Sequence, residues 1–143
     1  MTHFQTTVPS TWTKERTFAY LADFTNVAEW DPSISKSELT GGAAGEPGAT
    51  YDVTFSVAGV SSTLPYRAEQ VRSPDSIVMK AETDAVVSLD TITIDAADGG
   101  VLVTYRAELT LKGARKLAEP LADFALHRTG DKAAEQLTQK LAN

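Results

Sequence analysis

The chain's periodicity predicts an α+β domain, in which a curved antiparallel sheet of seven strands wraps around one long C-terminal helix. Three observations carry that prediction. From Tyr51 to Leu111 the apolar residues keep a two-residue period broken by turn sequences; from residue 114 almost to the end they keep a helical one. The order of elements is one strand, two short helices, six strands and a long helix. Only that last helix is long enough to cover the apolar face of such a sheet.

Residues 3–8 (His-Phe-Gln-Thr-Thr-Val) read as a short strand ended by Pro9, and Ser10, Thr11 and Thr13 are each suited to cap the helix that follows. That helix runs to about Asp23 with Phe18, Leu21 and Ala22 on one face, and a second, Thr25 to Trp30, is stopped by Asp31-Pro32. Residues 33–40 alternate weakly before a glycine-rich loop at 41–48. Tyr51, Val53, Phe55 and Val57 alternate with polar residues, Gly59 marks a turn, and Leu64, Tyr66 and Ala68 form the next apolar series. Ser73-Pro74-Asp75 turns the chain into a strand at 77–82. Between 86 and 95 the parity conflicts: Val87 and Leu89 point one way, Ile92 and Ile94 the other, so a bulge is expected near Leu89–Thr91. Asp98-Gly99-Gly100 is a hairpin turn, and Val101 to Leu111 is the most regular strand. In the final helix Leu117, Leu121 and Phe124 form one stripe; Leu126, Gly130, Ala133, Leu137 and Leu141 form another, displaced around the axis. Pro120 and Gly130 stand inside it and are expected to weaken or bend it.

Composition narrows the function classes. The 143 residues suit a single domain over the whole chain, 1–143, with no linker or repeat. The absence of cysteine removes disulfides, thiol nucleophiles and thiolate metal sites together, and fits a reducing, cytoplasmic setting. With 19 acidic against 13 basic residues the formal charge is −6, which repels phosphate backbones, so no nucleic-acid partner is expected. The N-terminal residues show no signal-peptide pattern and no apolar run approaches a membrane span.

The run Ala28-Glu29-Trp30-Asp31-Pro32 and the strand Thr104-Tyr105-Arg106-Ala107-Glu108-Leu109 leading into Leu111-Lys112-Gly113 resemble the START-like helix-grip (SRPBCC) superfamily. So do Leu117-Ala118-Glu119-Pro120-Leu121 and Gly130-Asp131-Lys132-Ala133-Ala134, and the closest likeness is to its bacterial polyketide cyclase/dehydrase and lipid-transport branch. The resemblance covers essentially the whole chain. It implies a cavity between sheet and long helix that holds a lipid, polyketide, isoprenoid or similar molecule, and it leaves the chemistry open.

Strand parity places Tyr51, Phe55, Tyr66, Met79 and Tyr105 on the inner face; with Leu117, Leu121 and Phe124 from the helix they are the expected cavity lining, and Trp30 either joins them or only closes the end of the barrel. Three inward tyrosines favour a cavity over a dry core, because a buried hydroxyl needs a partner that a guest molecule can supply. Pro120 is expected to bend the helix at the cavity mouth and act as its gate. No catalytic constellation emerges. His3 and His127 lack partners at metal-ligand or triad spacing, so no metal or cofactor is expected. Asp90 is the one catalytic candidate: a bulge after it would turn the carboxylate inward, where burial raises its pKa. Arg67 would face inward only if its strand slipped by one residue. The expected function is therefore binding of a small hydrophobic ligand by a monomer or homodimer. The alternatives are a polyketide cyclase or dehydratase acting in the same cavity, and an interaction module without ligand.

Overall fold

The structure, a computed structural model, describes residues 2–57 and 60–142, so the turn expected at Gly59 lies outside it. The strands are β1 (Thr2–Ser10), β2 (Ile34–Gly41), β3 (Thr50–Val57), β4 (Val60–Arg72), β5 (Ser76–Glu82), β6 (Val86–Ala97) and β7 (Gly100–Leu111); the helices are α1 (Lys14–Ala22), α2 (Val27–Trp30) and α3 (Glu119–Lys140). All seven strands pair antiparallel in one sheet, in the order β1-β7-β6-β5-β4-β3-β2. This is a helix-grip fold.

β1 continues through Pro9 instead of stopping there. It is an edge strand with β7 as its single neighbour, so a missing N–H at Pro9 can be tolerated. Among the three possible caps, Thr13 caps α1, its Oγ1 accepting from the Arg16 N–H at 3.2 Å. Ser10 instead fastens the far end of the chain. Its hydroxyl donates to the Leu141 carbonyl at 2.7 Å and pins the C-terminal end to the sheet edge.

The bulge expected in β6 is absent. Its pairing with β5 and β7 runs without a shift of register from Val86 to Ala97, and Val86, Ser88, Asp90, Ile92 and Ile94 all face inward. Val87 and Leu89 lie half-buried on the outer face, so the parity conflict resolves by leaving two apolar side chains outside and two polar ones inside. The sheet bends elsewhere, at register shifts between Ala68 and Gln70 in β4 and near both ends of β2.

Phe18 and Leu21 of α1, Phe24, and Val27 and Trp30 of α2 plug one end of the grip. Trp30 packs edge-on against Tyr105 with ring centroids 5.4 Å apart, and Phe24 meets Tyr66 at 5.4 Å. Met79 is completely buried, and Tyr51 likewise, its hydroxyl accepting from the Gly45 N–H at 3.1 Å.

Two expectations for the final helix are corrected. A 3-10 segment, Gly113–Ala118, precedes α3, and Pro120 sits in the first turn of α3, where backbone N–H groups have no intrahelical partner to lose. Pro120 therefore starts a helix and does not bend one. Leu117, Leu121 and Phe124 face solvent, with relative exposures of 89%, 72% and 65%. At 3.6 residues per turn, Phe124 and Leu126 point about 200° apart, so only one of the two stripes can meet the sheet. The longer one does, with Gly130, Ala133, Leu137 and Leu141 buried. Replacing Leu117, Leu121 and Phe124 by Gln should accordingly shift stability by no more than about 0.5 kcal/mol per site, the range of ordinary surface changes. Urea denaturation of the triple variant checks this; a loss of several kcal/mol would show that the stripe is buried after all.

Candidate functional site

Small side chains leave a hollow between the sheet and α3. Ala122, Ala125, Gly130 and Ala133 face it from the helix, and Ala107 from β7, so the elements meet without filling the space between them. The hollow measures about 400 Å³. Phe4, Phe55, Leu64 and Leu126 supply much of its apolar wall, and the exposed residues Ser62 and Arg115 stand where it meets solvent.

Its buried polar groups are Asp31, Ser33, Tyr66, Ser88, Asp90 and Tyr105, while Ser62, Glu108, Arg115 and Thr129 are more exposed parts of the lining. Tyr66 stands opposite Ala81, and Ala81 opposite Ser88, so the tyrosine ring reaches across the intervening strand and its hydroxyl shares a 2.6 Å hydrogen bond with Ser88 Oγ. Two residues along β6, Asp90 stands opposite Ala107; Tyr105, two residues before Ala107 on β7, is its diagonal neighbour on the same face. Asp31, at the end of α2, completes the set. Its Oδ1 accepts two hydrogen bonds from Ser33, from N–H at 2.9 Å and from the hydroxyl at 2.7 Å. Among the described residues nothing bonds to Asp31 Oδ2, to the Asp90 carboxyl or to the Tyr105 hydroxyl, and all three residues line the hollow.

The two carboxyl groups differ because their surroundings differ. Burial raises the pKa of Asp31, and the two Ser33 bonds oppose that rise by stabilising the anion. Asp90 has no such donors. Burial, and then the negative charge of Asp31, push it up to about 8. Of the two, Asp90 is therefore the one held in its protonated form, and the charge of Asp31 helps to hold it there. Burial, together with these carboxylates, also keeps the Tyr66 and Tyr105 hydroxyls well above their ordinary range, so both remain protonated.

Of the residues expected around the cavity, Phe55, Tyr66 and Tyr105 line the hollow. Tyr51, Met79 and Trp30 lie in the packed core beside it, and Leu117 and Leu121 stand outside on the solvent side. Phe124 borders a second cleft, between α3 and the Pro32, Ser33 and Ser56 side of the grip, which shares Ser33, Ala125 and Thr129 with the hollow. Asp90 faces inward by plain alternation, without a bulge. Arg67 faces outward, beside Glu69. Sequence reasoning missed Asp31, Ser33 and Ser88. Ser88 shares the parity of Asp90, Ile92 and Ile94, a signal present in the sequence; Asp31 had none beyond the break before Pro32. His3 and His127 are both exposed, and His127 Nδ1 lies 2.9 Å from the Asp123 carbonyl.

A profile of the family described as polyketide cyclase/dehydrase and lipid transport matches residues 1–142. The chain belongs to that family. Solved structures repeat its fold at low sequence identity. A START superfamily protein from Mycobacterium smegmatis is 15% identical, with TM-score 0.78 over 97% of this chain and 96% of its own. A protein from Thermus thermophilus is 11% identical, with TM-score 0.78 over 98% and 95%. The major latex-like protein 151 of Panax ginseng is 11% identical, with TM-score 0.72 over 99% and 97%. Sequence comparison with curated proteins finds no match. For this member of the polyketide cyclase/dehydrase and lipid-transport family the relatives establish the scaffold, a START-like helix grip. Among the described residues no helix is long and apolar enough to cross a membrane.

Proposed function

We propose that this chain binds a small, mostly apolar molecule in the hollow between the sheet and α3. The observation that carries this reading is the hollow itself: about 400 Å³, walled largely by phenylalanine, leucine and alanine, with buried polar groups contributed by the sheet and by the segment after α2. Pockets that hold small molecules are of this size and character, apolar for affinity and sparsely polar for orientation. Membership in a family described by cyclase, dehydrase and lipid-transport activities supports the same reading. A guest would enter past Ser62 and Arg115, and its polar end would meet Asp90 and Tyr105.

The neutral fluorophore N-phenyl-1-naphthylamine provides a test. The parent protein should bind it with an increase in emission. Ala125→Trp, a half-buried position on the wall contributed by α3, should fill much of the hollow and weaken binding at least about tenfold, as expected when apolar contact area is lost. Thermal melts establish that the variant is folded, and native mass spectrometry of freshly purified protein shows any molecule already bound. Equal binding by the folded variant and the parent would place the fluorophore elsewhere and end the reading.

A further inference from the structure

We propose that Asp31, Asp90 and Tyr105 form a proton-transfer site that enolises a small apolar ketone held in the hollow, with Asp31 taking the proton beside the carbonyl and Asp90 and Tyr105 holding the carbonyl oxygen. Such a site presupposes that the hollow takes apolar guests.

The partners of the buried polar groups point to it. Three tyrosines face inward, and two are satisfied within the protein, Tyr51 by the Gly45 N–H and Tyr66 by Ser88. Tyr105 is not satisfied by any described residue, and neither is the Asp90 carboxyl diagonally across from it. Among the described residues no buried side-chain polar atom lacks a partner, so these two groups are not sealed off but reach the hollow, where a guest molecule can bond to both. Both groups keep their protons at neutral pH and can donate. One acceptor oxygen, such as that of a ketone, can receive both bonds.

Asp31 supplies what a donor pair alone lacks. Ser33 fixes one of its oxygens with two hydrogen bonds and helps hold the group ionised, and the other oxygen is open to the same hollow. Two carboxyl groups whose environments separate their protonation in this way form an acid and a base within one site. In the reaction the C–H bond beside the carbonyl breaks and its proton passes to Asp31 Oδ2. The released electron pair forms the C=C bond, and the carbonyl π pair moves onto oxygen, where the hydrogen bonds from Asp90 and Tyr105 strengthen as charge develops. Return of the proton from Asp31 to the same carbon regenerates the ketone, and return to a conjugated carbon shifts a double bond. No oxidant, reductant or metal is consumed. In heavy water Asp31 can exchange its proton with solvent, so deuterium accumulates at the carbon.

The test follows deuterium incorporation at C2 of 1-tetralone by proton NMR in buffered D2O at neutral pD, with 2-tetralone and 3-cyclohexen-1-one as further probes. Binding of each probe is measured separately by saturation-transfer NMR. The parent should accelerate exchange over buffer. Asp31→Asn should lose about 100-fold or more of that acceleration, the usual contribution of a positioned base. Tyr105→Phe and Asp90→Leu should each lose at least about tenfold, while Asp90→Asn, whose amide still donates, should stay within a few-fold of the parent. This rescue by Asn separates donation to an oxygen from a merely structural role. Circular dichroism shows which variants are folded. Binding of any probe without accelerated exchange overturns the enolisation site and leaves the binding reading standing. Exchange that survives Asp31→Asn overturns the assignment of the base. Failure of all three probes to bind the parent overturns both the site and the binding reading it presupposes.

Discussion

Replacing Asp90 by Asn should make the protein several kcal/mol more stable at pH 8 and leave its stability at pH 4 nearly unchanged. Burial and the neighbouring charge of Asp31 hold Asp90 at about 8, against an ordinary value of 3.8. The folded state therefore keeps a proton that the unfolded chain releases once the pH passes about 4. The raised pKa sets the sign: the stability linked to this proton is complete below the unfolded value and is lost as pH rises toward the folded one. The loss is about 1.4 kcal/mol per pH unit and sums to about 5 kcal/mol near pH 8, beyond which the curve flattens. Asp31 is raised as well, also chiefly by burial, and contributes in the same direction. Asparagine has nearly the shape of the protonated acid and does not titrate. Urea denaturation of both proteins at pH 4, 6 and 8 should give curves that converge at the acid end and separate with rising pH. Parallel curves across that range would show that Asp90 is ionised and solvated in the folded state.

Much of the architecture is legible in the sequence because burial imposes a period on it. The alternation from Tyr51 to Leu111 marks the strands, and the turns at Asp98-Gly99 and around Pro74 separate them. The failures share a cause: an apolar pattern says that a face exists and does not say what it faces. Leu117, Leu121 and Phe124 have the spacing of a core stripe and are exposed, because the competing stripe through Gly130 and Ala133 is longer and its small residues let the helix approach the sheet. The residues that make the hollow are those that hydrophobic patterning discounts. Alanine and glycine on α3 create the space by omission. Ser88 and Asp90 break the apolar run of β6 because they border that space, and in the sequence alone such a break looks like a bulge. Asp31 stays invisible because its role depends on a contact with Ser33 and on the distant strands around the hollow, neither of which leaves a period.

Gly130→Val should destabilise the protein by about 3 kcal/mol and disturb the hollow, although valine is the better helix former. On propensity alone the change would help, since glycine in a helix interior costs up to about 1 kcal/mol relative to alanine and most other residues cost less. Packing opposes it. A Cβ at position 130 would lie 2.7 Å from two atoms of the Phe4 ring and 2.8 Å from a third, inside the distance at which real atoms meet. Phe4 belongs to β1 and is held against α3, with His127 edge-on to its ring at 5.8 Å. Relief requires either that the ring swing into the hollow it lines or that α3 lift from the sheet edge. Overpacking of this kind costs roughly 1–3 kcal/mol, and the two γ-methyl groups of valine, fixed by its branched Cβ, place it at the upper end. Both routes also change the space available to a guest, so binding of N-phenyl-1-naphthylamine should weaken along with stability. Gly130→Ala separates the opposing effects: it meets the same ring atoms with its Cβ alone and recovers the helix propensity, so its loss should be smaller. Urea denaturation of the three proteins should therefore rank the parent above alanine and alanine above valine. A valine variant as stable as the parent would show that Phe4 moves freely and that the close approach of α3 to β1 does not hold the grip closed.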